Sequence, residues 1–472
     1  MKTLVLDLGL LMTPAQPDSS PRRLIPRLLA SHPWLEYEKG KMSQSDCHDS
    51  ISQQLALGPG ELAELLQHHE PRFDARLYSA LRELRRGPDA IRLVATANMP
   101  APEYQRVRER WPRGFWGVWD AVFASSLVGM RKPSLCYYRH VLARTRAAPG
   151  DTLFVEASRE AAIAARSLGF RAALAKDGGD AARIVKNAMG DPVARGRGFL
   201  LENAQRLYSM AENGVQVVDC YSSLLILEAT RDRSLVALRH QDTKRRWNFY
   251  SGAPVLTTES FPDDLDTTSL AFLNLEHDEA TVRATMDDML ACCDQDGIVM
   301  TYFDKSRPRV DPVVAACVLT LFHSRNRGHE LVRTYTWLRD ILRHRAYVDG
   351  TLYYDSAEWF LYHINRLISR SADADAKREL GDMLKERVEE RIGAPGDALS
   401  LSMRLVVCAS MGVPDRRDLQ TLLSVQEEDG GWEPSRLCGF PRLNLWLGNR
   451  GVTTAIAVNA IEAMRGLLAA AS

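Results

Sequence analysis

The chain has 472 residues, enough for about two to three domains at roughly 150 residues each. Its 60 Lys and Arg cancel its 60 Asp and Glu, which argues against a nucleic-acid binder working through counterion release and against a polybasic membrane anchor. Hydrophobic residues at 45% and charged residues at 25% are those of a globular protein with real cores, and 30 Gly with 22 Pro are too few for a collagen-like or largely disordered chain.

The apolar start, Met1 to Met12, is broken by Asp7 and has neither a basic lead nor a small-residue cleavage site, so a strand is predicted rather than a signal peptide. Further strands are predicted at Ile91–Thr96 and Thr152–Val155, each followed by a helical stretch such as Arg159–Leu168. Strands alternating with helices predict a parallel sheet covered on both faces. The helical pattern between the first two strands, including Gly60–His68 and Ala75–Leu84, is too long for a plain crossover and predicts an inserted helical cap around 13–88. A Gly/Pro/Arg stretch at Asp191–Arg197 predicts a linker, giving domains 1–190 and 191–472.

Beyond about Gly198 the pattern predicts helices only, from Gly198–Asn213 to Thr453–Leu468. Asp-Gly turns with aromatics recur between them: DQDGIVMTYF (Asp294–Phe303), YVDGTLYY (Tyr347–Tyr354) and EEDGGW (Glu427–Trp432). Repeated helix–turn–helix units predict a closed ring of helix pairs, an α/α barrel with an aromatic centre. No uninterrupted apolar run approaches the roughly 18 residues of a membrane span. The eight cysteines make no C-x-x-C pair, and reduced thiols in a cytoplasmic protein are expected.

The sharpest local feature is SFPDDLDTTSLAF, Ser260–Phe272, where Pro262 precedes a helix predicted to start near Asp266 or Thr267. Acidic and hydroxyl residues at a helix start are also what ordinary capping calls for. The chemical alternative is a strong acid. A free Asp, with a pKa of about 3.9, is ionised at neutral pH and cannot protonate an alkene. Burial and a neighbouring carboxylate keep one proton on such a pair.

DDLDTT resembles the D-x-D-T-T variant of the acid motif of class II terpene cyclases, and QEEDGGW (Gln426–Trp432) resembles their Q-x-x-D-G-x-W repeat. The blocks Gly350–Leu367, Asp397–Leu405 and Gly448–Ala463 resemble sesquiterpene cyclases of the drimane type, in which a haloacid dehalogenase-like domain is fused to a terpene cyclase β domain. The resemblance implies Asp266 as general acid with Asp264 holding its proton, and farnesyl diphosphate as substrate, protonated at its terminal alkene with the diphosphate retained. Ring faces stabilise cations; Phe303, Tyr353 and Trp359 are the expected lining, drawn from Tyr302, Phe303, Tyr353, Tyr354, Trp359, Phe360 and Trp432, with Trp432 left structural. Thr267 is a further candidate at the motif. Lys244, Arg246 and Arg450 are the candidate diphosphate partners.

Asp7, Thr96, Lys132 and Glu156 resemble, in order and spacing, the four motifs of the haloacid dehalogenase superfamily. There a carboxylate at a strand end attacks phosphorus, a hydroxyl and an ammonium hold phosphoryl oxygens, and an acid on the next strand binds Mg²⁺. The resemblance implies Mg²⁺ held by Asp7 and Glu156. Gly9 stands where a second Asp usually serves as acid/base, and Ala157 follows Glu156, so impaired dephosphorylation is expected. The leading expectation is a cyclase releasing drimenyl or albicanyl diphosphate. The alternatives are a bifunctional enzyme that also releases the alcohol through Asp7, and a phosphatase with a helical binding module. Neither nucleic acid nor a membrane is an expected partner, and a homo-oligomer is compatible with the sequence.

Overall fold

β-branched and leucine-rich runs bounded by turns form the strands of the first half. The computed structural model describes residues 3–13, 24–58, 60–67, 72–87, 91–238 and 244–470. The predicted ends at Met1, His68 and Pro88 lie outside the described residues. Two compact units result, Met1–Gly190 and Asp191–Ser472.

The first unit contains β1 (Thr3–Asp7), a short pair β2 (Met12–Thr13) and β3 (Arg72–Phe73), then β4 (Arg92–Ala97), β5 (Ala121–Ala124), β6 (Thr152–Glu156) and β7 (Arg171–Leu174). Five of these form a parallel sheet in the order β5-β4-β1-β6-β7. The register sets Asp7 opposite Thr96 and Leu6 opposite Val155, so site residues meet at the carboxyl ends of the central strands. Both faces are buried, with Leu4 and Leu6 packing in one cluster and Val5 in another. The antiparallel pair β2–β3 is the neck through which the inserted helices leave and return. Those helices have their own small core of Leu28, Trp34, Tyr37, Cys47, Ile51 and Leu62. The helix Ala75–Arg86 is not part of the cap as predicted: Leu77, Ala80 and Leu81 belong to the core beneath the sheet.

The second unit is a double ring of helices. The helices Cys220–Thr230, Leu265–Asn274, Pro312–Ser324, Ala357–Arg370, Ala398–Ser410 and Arg450–Ala470 each pack on the next, and the last returns to the first. They are the apolar ones: every residue from Val313 to His323 is buried. Outer helices such as Val332–His344 are amphipathic, with Leu338, Ile341 and Leu342 inward and arginines outward. Arg450–Ala470 is long and apolar enough to cross a membrane by length and composition, yet 56% of its apolar window is buried inside the unit.

Three Asp-Gly turns need their glycines, with φ of +77° at Gly297 and Gly350 and +91° at Gly430. A Cβ on Gly350 would lie 2.5 Å from the Tyr354 carbonyl oxygen. Gln426 and Trp432 staple the third turn: Gln426 Nε2 donates to Gly430 O at 2.7 Å and Pro192 O at 2.9 Å, and Trp432 Nε1 donates to Leu422 O at 2.9 Å.

Two expectations are corrected. The stretch Asp191–Arg197 is not a linker: Asp191 caps a helix, Pro192–Glu202, whose Val193, Phe199 and Leu200 are core. Strands do not vanish after Gly198. β8 (Ser209–Ala211), β9 (Gln216–Val217), β10 (Arg436–Phe440) and β11 (Leu445–Gly448) form a sheet in the order β10-β11-β8-β9. The predicted helix Gly198–Asn213 therefore ends at Glu202. Short strands paired across more than 200 residues leave no local periodicity to read.

Candidate active site

The acid motif folds as its capping chemistry dictates. Asp264 is the N-cap of Leu265–Asn274, extended at φ −117° and ψ 156°, and its Oδ1 accepts the Thr267 N–H at 2.8 Å. Thr268 Oγ1 donates to the Asp264 carbonyl at 2.7 Å and accepts the Trp247 N–H at 2.9 Å, locking the first turn. Asp266 follows in that turn. Both carboxyl groups are buried, with Asp264 4% and Asp266 7% exposed.

The Tyr354 hydroxyl lies 3.0 Å from Asp266 Oδ2 and 2.9 Å from the Tyr221 hydroxyl. Each hydroxyl carries one proton, so with Tyr354 donating to Asp266, Tyr221 donates to Tyr354. The two carboxyls also hydrogen-bond to each other, which requires a proton between them. Burial pushes both carboxyls above the ordinary carboxylate range, and no cation is among the main groups that act on them. The Asp266 charge drives Asp264 up further, while the Tyr354 hydroxyl supports the anion on Asp266. Two repelling buried carboxylates without a cation share a proton at neutral pH.

The pair opens into a cavity of about 700 Å³, within the range of small-molecule sites. Tyr221, Asp266 and Val314 line it from the first turns of three inner helices, so it sits at the amino-terminal end of the ring. Its aromatic lining is Tyr221, Phe249, Tyr250, Phe261, Tyr302, Tyr353, Tyr354 and Phe440. Arg307, Arg309 and Arg442 also line it, half-buried or exposed where the carboxyls are buried. Arg309 Nη1 donates to the Tyr353 hydroxyl at 3.2 Å, which is 3.1 Å from the Tyr302 hydroxyl. Arg307 Nη2 donates to Thr258 Oγ1 at 3.2 Å.

Of the sequence-predicted residues, Asp264, Asp266 and Tyr353 line this cavity. Phe303 does not: Tyr302 bridges Asp264 and shares its face, so the next residue points away, and the Arg246 guanidinium lies 4.6 Å from the Phe303 ring centre. Trp359 is one layer out, its ring 5.0 Å from that of Tyr354. Thr267 is buried and serves the cap through its N–H. The three predicted diphosphate cations are engaged elsewhere. Lys244 sits 4.3 Å over the Trp247 ring, Arg246 pairs with Asp288 at 2.9 Å, and Arg450 pairs with Asp429 at 2.9 Å. The arginines that do line the cavity were missed because proline separates Arg307 from Arg309 and Arg442 lies in a hairpin, so neither forms a basic run. For Arg307 and Arg309 the signal was their position just after the Asp294–Phe303 turn.

In the first unit the four motif residues meet. Lys132 Nζ lies 3.0 Å from Asp7 Oδ2, 2.7 Å from Glu156 Oε2 and 3.3 Å from Thr96 Oγ1. Asp7 Oδ1 accepts the Gly9 N–H at 3.0 Å, capping a short 3₁₀ turn. Burial opposes the Lys132 charge, but Asp7 and Glu156 outweigh it and hold its pKa above the usual lysine value. Burial, against the pull of Lys132, pushes Glu156 up to about 7. Among the described residues no group of three or more His, Cys, Asp or Glu converges on one point. Two carboxylates, one with a buried oxygen lacking a donor (Glu156 Oε1), still fit Mg²⁺, which takes one or two carboxylates and completes its shell with water and phosphate.

Comparison with known proteins follows this geometry. The family described as the sesquiterpene cyclase astC-like C-terminal domain matches residues 193–325. Drimenol cyclase drtB of Aspergillus calidoustus is 38% identical over 467 residues, 98% of this chain and 88% of its own. Sesquiterpene phosphatase astK of Aspergillus oryzae is 35% identical over 144 residues, 30% of this chain and 71% of its own. A solved HAD-like family hydrolase from Porphyromonas gingivalis covers 37% of this chain and 90% of its own at 23% identity and a TM-score of 0.32. With a parallel-sheet unit that assembles the four phosphatase-type motifs and a helical ring that buries an aspartate pair, the chain belongs to the fused haloacid dehalogenase-like/class II terpene cyclase family and is an enzyme of the terpene cyclase class.

Proposed function

We propose that this enzyme cyclises farnesyl diphosphate to a bicyclic drimane-type diphosphate, drimenyl or albicanyl diphosphate. The observation that carries the reading is the buried, cation-free Asp264–Asp266 pair at the wall of an aromatic cavity with arginines on its exposed side. Asp266 is the general acid. Its O–H bond breaks as the terminal alkene takes the proton, two ring closures follow, and a proton lost from carbon restores a double bond. The C–O bond to diphosphate stays intact. Asp264, capped by the Thr267 N–H at the helix N-terminus, shares that proton with Asp266, and the Tyr354 hydroxyl steadies the carboxylate left on Asp266. The faces of Tyr221, Phe261, Tyr302 and Tyr354 stabilise the cations along the way. Arg307, Arg309 and Arg442 take the diphosphate, in place of Lys244, Arg246 and Arg450. The skeleton is supported by the relative named a drimenol cyclase.

The assembled Asp7, Thr96, Lys132 and Glu156 favour a second reading, in which the first unit also releases the alcohol. Asp7 would be the nucleophile, with Lys132 and Thr96 on the phosphoryl oxygens. Mg²⁺ would be held by Asp7 and Glu156 and would supply positive charge to the phosphoryl group. Gly9 offers no proton to the leaving oxygen, so this step is slow, by about 10²–10⁴-fold relative to a site with its acid.

Incubation with farnesyl diphosphate, then extraction with and without added phosphatase, tests both. A bicyclic alcohol seen only after added phosphatase supports cyclisation alone, and one seen without it supports the bifunctional reading. No bicyclic product under either condition contradicts both.

A further inference from the structure

The inner helices present capping side chains at the end of the ring that holds the cavity. Four of those caps are aspartates, and their carboxyl oxygens differ in how they are satisfied. Asp219 accepts the Ser222 N–H at 2.5 Å on one oxygen and the Ser209 hydroxyl at 2.6 Å on the other. Asp397 accepts the Ser400 N–H at 2.8 Å and the Arg436 N–H at 3.2 Å. Asp264 and Asp311 each cap with Oδ1, and beyond the cap each has a side-chain partner that is neither a cation nor a backbone group, Asp266 for Asp264 and the Thr351 hydroxyl for Asp311.

Asp311 caps Pro312–Ser324, the ring neighbour of the acid helix, and is 1% exposed. The backbone brings the two caps together. Leu265 N donates to Thr301 O at 2.9 Å, and Thr301 N donates to Arg309 O at 2.8 Å, so three extended segments lie side by side and the third leads into Asp311. The same neighbour helix reaches the acid again where Cys317 Sγ lies 3.6 Å from the Asp266 carbonyl. Thr301, on the middle segment, has a buried hydroxyl without a partner. Burial lifts Asp311 to about 6, with the Asp266 charge adding to it and the Thr351 hydroxyl opposing. A carboxyl that titrates there can exchange a proton close to neutral pH beside the acid helix.

We propose that Asp311 is the proton reserve of the acid site and reloads Asp266 after each cyclisation. Asp311 does not touch substrate; it acts through Asp266 and is a positioning residue in that sense. Each turnover breaks the Asp266 O–H bond and leaves a carboxylate. The reload breaks the O–H bond of Asp311 and forms that of Asp266, and Asp311 regains its proton from water. The proton lost by the final cation balances the one taken up. The inference rests on Asp266 being the general acid.

The test is rapid-mixing kinetics of full-length Asp311→Asn with farnesyl diphosphate. Asn caps a helix as well as Asp does, so the cap is kept and only the proton is lost. The expected result is one equivalent of bicyclic diphosphate formed at the wild-type rate, followed by a steady state slower on the order of 10²-fold. Asp311→Glu, which keeps a titratable carboxyl, recovers most of the steady-state rate. An unchanged steady state, or a first turnover slowed in the same proportion as the later ones, overturns the proposal. Should Asp311→Asn fail to fold, Asp311→Ser caps equally and carries no acidic proton, with the same two outcomes decisive. If wild-type enzyme cyclises and Asp311→Asn shows no burst, only this inference falls. If wild-type enzyme forms no bicyclic product, the cyclase reading falls with it.

Discussion

Both halves of this molecule place carboxylates at the ends of regular elements, and they resolve the electrostatics in opposite ways. In the sheet unit, Asp7 and Glu156 flank a lysine that is 3% exposed, so the charges are compensated inside the protein and the carboxylates sit where an anion would be attacked or held. In the ring unit, Asp264 and Asp266 have hydroxyls, backbone N–H groups and each other around them, and no cation among the main groups acting on them. Charge compensation suits a phosphate-type site; its omission suits the Brønsted acid proposed for the ring unit. The same residue type therefore serves two chemistries according to whether an ammonium lies beside it.

The largest expected effect breaks the acid side. Asp266→Asn should lower cyclisation on the order of 10⁴-fold, read by product formation, with the thermal transition unchanged. Retention of most turnover would show that Asp266 is not the proton source. Next, Arg309→Ala should raise KM for the diphosphate substrate by about 10–100-fold, because one charge-assisted contact is worth about 1.5–3 kcal/mol. Unaltered KM with Arg246→Ala, in the same assay, would separate the cavity arginines from the upstream basic run.

The pH dependence sharpens the contrast further. The pair is active while it holds its proton, so kcat for cyclisation should fall as pH rises through its raised pKa, by about tenfold per unit beyond it. Stability follows the same sign: carboxyls whose folded pKa is raised contribute stability below their ordinary range, and that contribution is lost as pH rises through the raised value. A cyclisation rate that climbs with pH would reverse the assignment. The smallest effect is expected from Asp7→Asn, which should leave cyclisation within twofold or so of wild type and remove only alcohol release.

The alternating strands and the helix start at the aspartate pair were legible because each is local. Val5 and Leu6 bury opposite faces of one strand, and the D-x-D spacing puts a cap and a first-turn residue on one wall. What escaped was set by distant pairing. β8 and β11 join across more than 200 residues, and the cavity face of the Asp294–Phe303 segment was fixed by the bridge of Tyr302 to Asp264, which turned Phe303 outward. Similarly, Lys244 and Arg246 looked available as a run, but Trp247 and Asp288 take them. The linker expected at Asp191–Arg197 is a helix because Asp191 caps it and Gly196 packs closely on Val458 and Trp432.

The most direct test of the central claim is a difference infrared spectrum of substrate-free enzyme at neutral pH, wild type against the double variant Asp264→Asn with Asp266→Asn. A protonated buried carboxyl band present in wild type and absent in the variant is the predicted result. Spectra that match in the protonated-carboxyl region, with the wild type showing an extra carboxylate band instead, would contradict it.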